Sequence, residues 1–129
     1  MTPRILVVDD EIGLCAVLKD LLEIEGYAVA ACQDPISALD MLSVRRFDAA
    51  LLDVFMEGHP VGLDLALYIM DECPKTKIIL MTGYADRVDI MDACSSGVFA
   101  CIDKPFNLDD VLRVVETALH REVSMADSA

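Results

Sequence analysis

Positive charge is scarce in this chain and nowhere gathered. Ten Lys and Arg face twenty-three Asp and Glu, a formal net charge of -13 at pH 7. Direct binding to a nucleic-acid backbone wants clustered Lys and Arg, so that partner class is disfavoured. No apolar run approaches the roughly 20 residues of a membrane-spanning helix. Met1-Thr2-Pro3-Arg4 leads straight into a strand-like run with no signal-type segment. The five cysteines (Cys15, Cys32, Cys73, Cys94 and Cys101) are odd in number and none forms a C-x-x-C pair. A Cys/His metal centre, which needs clustered ligands, is not supported. The expectation is a reduced, cytoplasmic chain in which each cysteine is a small buried hydrophobe. No internal repeat or low-complexity segment is seen, and no second domain is expected within these residues.

What is present is alternation. At 129 residues and 55% hydrophobic content the chain suits one domain with a single good core. Strand-like runs are expected at 5–8, 28–32, 49–52, 78–81 and 98–102, separated by helical stripes. Leu14, Val17, Leu18, Leu21 and Leu22 form the first stripe, which Gly26 closes as a left-handed cap. Asp34-Pro35 reads as an N-cap followed by proline in the first turn of a second helix, lined by Ala38, Leu39 and Leu42. Leu63, Ala66, Leu67 and Met70 line a third helix, which Cys73-Pro74 stops. The fourth, at about 86–95, has an uneven stripe of Val88, Ile90, Met91 and Cys94. Asn107 caps the fifth, which carries Leu108, Val111, Leu112, Val115, Ala118 and Leu119. Strands and helices alternating at this spacing predict an α/β, doubly wound, five-stranded parallel sheet with helices on both faces. Right-handed crossovers leave few topologies, and the order 2-1-3-4-5 is favoured. The domain is expected over residues 1–123, with 124–129 as a short, frayed polar tail.

Four of the runs end in polar residues that would share one edge of the sheet. The first ends at Asp9-Asp10-Glu11, the third at Asp53, the fourth at Thr82-Gly83 and the fifth at Asp103-Lys104-Pro105. Ligands bind along that edge in open α/β sheets. Three carboxylates there repel one another, at a cost of roughly 4 kcal/mol per pair about 4 Å apart at an effective dielectric near 20. Lys104 offsets part of this, and a divalent cation is the natural remainder. Mg²⁺ takes oxygen ligands, often one or two carboxylates plus a substrate phosphate. Asp53, ending the central strand, is the candidate nucleophile of aspartyl-phosphate chemistry. Thr82 and Lys104 could hold phosphoryl oxygens, and a cis bond at Pro105 would aim the lysine. Taken singly, each motif also has an ordinary structural explanation as a cap or turn. Their conjunction at successive strand ends is what points to a site.

At these residues the chain resembles the receiver domain of two-component response regulators, over about residues 4 to 121. The resemblance implies a flavodoxin-like fold and phosphotransfer from a histidine kinase, or a phosphotransfer protein, onto Asp53. It implies Mg²⁺ held by Asp10 directly, by Asp9 mainly through water, by Asp53, and by the main-chain carbonyl of Phe55. Thr82 and Lys104 would contact the acyl phosphate and trigger a switch. The face of helix 4, strand 5 and helix 5 would then bind a downstream protein. It further implies a signalling module and not a metabolic enzyme, with only self-catalysed transfer and slow autodephosphorylation. A stand-alone receiver of this kind works by binding another protein or by relaying phosphate; a fragment of a larger regulator is the other possibility. The oligomeric state is open.

Two departures from the family stand out. After Asp53 the sequence runs Val54-Phe55-Met56-Glu57-Gly58-His59-Pro60-Val61-Gly62, one residue longer than the usual loop. The position three before the lysine, commonly Tyr or Phe and part of the switch, is Cys101. Three alternatives stay open: Phe99, expected on the same strand face by alternation, substitutes, Tyr84 does, or the switch runs through the loop after strand 4 alone. Phe55 and Tyr84 also occupy the two positions that flank the path of attacking water in this family. Competing functions are a degenerate receiver acting without phosphorylation, an aspartate-nucleophile phosphatase, and a flavin binder. The phosphatase would want Asp-x-Asp after one strand. The flavin phosphate would want a Gly-, Ser- or Thr-rich loop where Asp9-Asp10-Glu11 stands.

Overall fold

The computed structural model describes residues 2–84 and 87–128, with side chains as far as residue 119. Ten elements alternate in chain order: β1 Arg4–Val8, α1 Ile12–Ile24, β2 Ala28–Cys32, α2 Pro35–Val44, β3 Ala49–Asp53, α3 Val61–Glu72, β4 Lys77–Thr82, α4 Val88–Ser96, β5 Ala100–Asp103 and α5 Leu108–Ser128. All strand pairs are parallel, as the alternation predicts, and the sheet order is β2-β1-β3-β4-β5, the order favoured above.

Strand pleating divides the core in two. Leu6, Val8, Leu52, Ile78 and Leu80 point toward the side covered by α2, α3 and α4. Ile5, Val7, Leu51, Ile79 and Met81 point toward α1 and α5. Because both faces are covered, the inner strands are apolar throughout and not alternating. The caps match their sequence signals. Asp34 accepts from the Ser37 backbone N–H at 2.8 Å, Asn107 accepts from that of Asp110 at 2.9 Å, and Gly26 takes a φ of 98°.

Several expectations are corrected. Helix α3 buries Leu65, Ala66 and Ile69 and leaves Leu67 half exposed, a stripe turned by about one position. Nearly every residue of α3 is apolar, so periodicity cannot fix its phase. Gly62 does so instead, packing directly on the Asp53 carbonyl, where a Cβ would collide with the strand backbone. Val17 and Met91 are likewise exposed. Helix α4 begins at Val88, and Asp86 lies outside the described residues. Helix α5 continues to Ser128, so residues 124–128 are helical where a frayed tail is expected.

The cysteines also differ from expectation. Cys15 and Cys32 are buried and free, but Cys94 and Cys101 are half-buried and joined by a disulfide. No C-x-x-C spacing is needed for this. The chain reverses at Gly97, with φ 151°, which returns Cys101 on β5 to the last turn of α4. Phe99 and Cys101 do not share a face. Phe99 packs on the α1–α5 side and Cys101 on the α3–α4 side. Alternation holds only inside a strand, and Phe99 precedes β5.

Candidate functional site

The polar residues expected at the strand ends meet in one crevice of about 350 Å³, lined by Asp10, Asp53, Phe55, Thr82, Tyr84 and Lys104 among others. Parallel register brings them there. Asp53 lies opposite Met81, and Thr82 opposite Asp103, one residue before the lysine. The Lys104 backbone N–H then donates to the Thr82 carbonyl at 2.8 Å, and the Lys104–Pro105 peptide is cis.

Lys104 is the centre of the charge arrangement. Its Nζ lies 2.9 Å from Asp9 Oδ2 and 3.3 Å from Asp53 Oδ1. Asp9 is wholly buried and Asp53 is 5% exposed, so these are charge-assisted contacts away from bulk water. Asp9 Oδ1 accepts the Glu11 backbone N–H at 2.9 Å, and Asp10 Oδ2 that of Glu57 at 3.0 Å. One lysine does not balance three carboxylates. Burial, and next the Asp9 charge, push the Asp53 carboxyl up to about 7 although Lys104 and its hydrogen bond pull it down. Burial works to lower the Lys104 ammonium, but the Asp9 hydrogen bond and the charges of Asp53 and Asp9 outweigh it, and its pKa is raised.

This surplus of negative charge is where a hard cation fits. Asp9, Asp10 and Asp53 each offer an oxygen, and these oxygens lie within 4.8 Å of one another. Two of the three carboxylates are buried and Asp10 is exposed, so the cluster is open on one side to solvent.

The loop between β3 and α3 is a tight turn. Met56 and His59 exchange backbone hydrogen bonds at 3.0 and 3.1 Å around Glu57 and Gly58, both with positive φ. The turn leaves Asp53 in place and aims the Glu57 N–H at Asp10. His59 is exposed. Phe55 and Tyr84, both lining the crevice, meet edge to face with centroids 5.1 Å apart. The Arg87 guanidinium sits 5.0 Å from the Phe55 ring. Arg87 has no sequence signal, because it reaches Phe55 across two different loops. Thr82 is buried, and its Oγ1 accepts the Tyr84 backbone N–H at 3.0 Å.

A family model for the response regulator receiver domain matches residues 5–116. The chain belongs to that family. The receiver is 32% identical to the nitrogen assimilation regulatory protein NtrX of Azorhizobium caulinodans over 92% of its own length, but spans only 26% of that protein. It is 29% identical to the sporulation initiation phosphotransferase F of Bacillus subtilis, covering 92% of this chain and 95% of the relative. It superposes on the response regulator protein TrrA of Thermotoga maritima, solved in complex with Mg(2+)-BeF, with a TM-score of 0.79, 33% identity, and coverage of 92% and 100% of the two chains. Receiver domains are signalling modules of two-component systems. No described helix is long and apolar enough to cross a membrane.

Proposed function

We propose that this receiver accepts a phosphoryl group on Asp53 from the phosphohistidine of a histidine kinase or phosphotransfer protein. Lys104 bridging the two buried carboxylates Asp9 and Asp53 at 2.9 and 3.3 Å is the observation that carries this reading. An ordinary turn aspartate has no reason to be buried against a second carboxylate. Lys104 offsets the cost of that burial in part and keeps a positive charge beside Asp53, where a phosphoryl group would need it.

Mg²⁺ suits the oxygen donors of Asp9, Asp10 and Asp53, with the Phe55 carbonyl as a further ligand. When bound it would neutralise charge on the transferring group. The chain's own residues do the rest. Asp53 holds its attacking oxygen at the floor of the crevice, at the end of a strand with no freedom to recoil. Its oxygen forms a bond to phosphorus as the bond from phosphorus to the histidine nitrogen breaks. Lys104 offers three N–H donors and a charge to the new phosphoryl group as it loosens from the carboxylate. Thr82 turns its hydroxyl proton toward a phosphoryl oxygen while still accepting from Tyr84. Movement of Thr82 and Lys104 then alters the surface of α4, β5 and α5, which binds the downstream protein or hands the phosphoryl group on. The receiver works in the cytoplasm, without direct contact to nucleic acid or membrane.

Incubation with Mg²⁺ and a small phosphodonor such as acetyl phosphate tests this by intact mass. Wild type should gain one phosphoryl group, and Asp53→Asn should gain none. Metal-independent labelling of that variant would overturn the assignment. Lys104→Ala should still be labelled but lose the phosphorylation-dependent change in amide exchange across residues 82–106. A retained change would show that the lysine does not read the phosphate.

A further inference from the structure

The Cys94–Cys101 disulfide ties the last turn of α4 to β5. Those two elements lead directly to the groups that would contact a phosphoryl oxygen. Helix α4 follows the connection from Thr82, and Cys101 stands three residues before Lys104. We propose that Cys94 and Cys101 are a reversible dithiol–disulfide pair that sets whether α4 can shift against β5, so that cellular redox state gates the output of the phosphorylation site. The proposal rests on the receiver function of Asp53 given above.

Three observations support it. First, α4 is thinly anchored. Among its nine residues only Ile90 and Ala93 are buried, while Val88 and Met91 are exposed. A covalent tie to β5 therefore constrains this helix more than its packing does. Second, the sequence separation is only seven, so the bond closes a short loop. A cross-link across a short loop restricts the unfolded chain less than one across a long loop. Its main consequence is the local geometry of α4 on β5. Third, Cys94 and Cys101 are both only half-buried. Cys15 and Cys32 are instead buried, with their thiols held against the backbone carbonyls of Asp9 and Asp34. In a reducing compartment a disulfide reachable from solvent is transient, and its usual roles are catalytic or redox-sensing.

The oxidant class is a low-molecular-weight disulfide. One cysteine, as thiolate, attacks a sulfur of it. A mixed disulfide forms and half of the small molecule leaves as a thiolate. The second cysteine's thiolate then attacks the protein sulfur of that mixed disulfide and expels the other half. The pair gives up two electrons and two protons, and the oxidant becomes two thiols. Excess small thiol runs the same exchange backward. In the disulfide form the end of α4 is fixed to β5; in the dithiol form it is free to follow Thr82 and Lys104.

The experiment uses the whole chain in reduced and oxidised glutathione. Alkylation in denaturant, read by intact mass, should give five adducts after reduction of the native protein and three after oxidation, the five cysteines less the bonded two. Mg²⁺ with beryllium fluoride is then added as a phosphoryl mimic, its binding followed by fluorine NMR and amide exchange measured over residues 88–96. The change in exchange should be about fivefold or more larger in the reduced form, a usual size for coupling between sites. Cys94→Ser should respond equally in both buffers. A bond that glutathione does not open in the native protein overturns the gate. So do equal responses in the two redox states with the mimic bound, and so does a Cys94→Ser variant that keeps its redox dependence. Failure of the mimic to bind in either state, with Asp53→Asn indistinguishable from wild type, overturns the receiver function itself and the gate with it.

Discussion

Strands β3 and β5 each lead one charged group, Asp53 and Lys104, into the crevice, yet they are built differently. Every residue of β3 is buried, and the strand is paired on both sides, by β1 and β4. β5 lies at the sheet edge, and only Ile102 of its four residues is buried. The helix beside it, α4, buries two residues of nine. The proposed acceptor thus rides on the most constrained strand, and the lysine that would read it rides beside one of the least constrained segments. Segments with few buried apolar contacts open and shift at low cost. A phosphorylation switch needs both properties, a nucleophile that does not move and a reader that does.

The contrast is sharpened first by stability. Leu80→Ala, in β4 beside the acceptor strand, should cost about 3–4 kcal/mol through lost burial and a cavity. Met91→Ala on exposed α4 should stay within about 0.5 kcal/mol. Urea unfolding of both variants measures the difference, and equal losses would erase the distinction between the regions.

Next is the strain of the acceptor site. The Asp53 carboxyl is raised from 3.8 to about 7, mainly by burial and then by the Asp9 charge. The folded state therefore binds this proton more tightly than the unfolded chain. In metal-free protein the stability from that proton is present below pH 4 and lost as pH rises toward 7. Asp53→Asn removes the penalty, so at pH 8 without Mg²⁺ it should melt about 3–10 °C above wild type. The gap should close toward pH 4. A variant less stable than wild type at pH 8 would mean that the carboxylate is already fully compensated.

A smaller effect concerns lifetime. Phe55 and Tyr84 meet edge to face in the crevice that Asp53 also lines, and neither offers a carboxylate or amide to orient water. Misplacing one nucleophilic water can cost roughly 10²-fold in rate. The phosphorylated receiver should accordingly lose its label slowly, and Phe55→Asn with Tyr84→Glu should shorten the lifetime about tenfold or more. Decay of the acyl phosphate in both proteins decides the point; unchanged decay would show that the aromatic pair does not gate water.

Most of the fold was legible because each apolar run ends abruptly in a polar residue. Asp9, Asp53, Thr82 and Lys104 announce a shared edge through nothing more than order and spacing. What escaped depends on contacts between distant segments. The phase of α3 is set by Gly62 against the Asp53 carbonyl, a steric fact invisible to hydrophobic periodicity. Arg87 stacks on Phe55 from another loop. The Cys94–Cys101 bond needs the reversal at Gly97, and the strand alternation that placed Phe99 beside Cys101 breaks down one residue before β5 begins.

The claim that Asp53 is the phosphoacceptor is tested most directly by reductive trapping. Borohydride converts an acyl-phosphorylated aspartate to homoserine, and peptide mass spectrometry then locates the change. After incubation with Mg²⁺ and acetyl phosphate, homoserine should appear at position 53 alone and disappear when Mg²⁺ is chelated. Homoserine at position 9 or 10, or undiminished trapping without metal, would contradict the account.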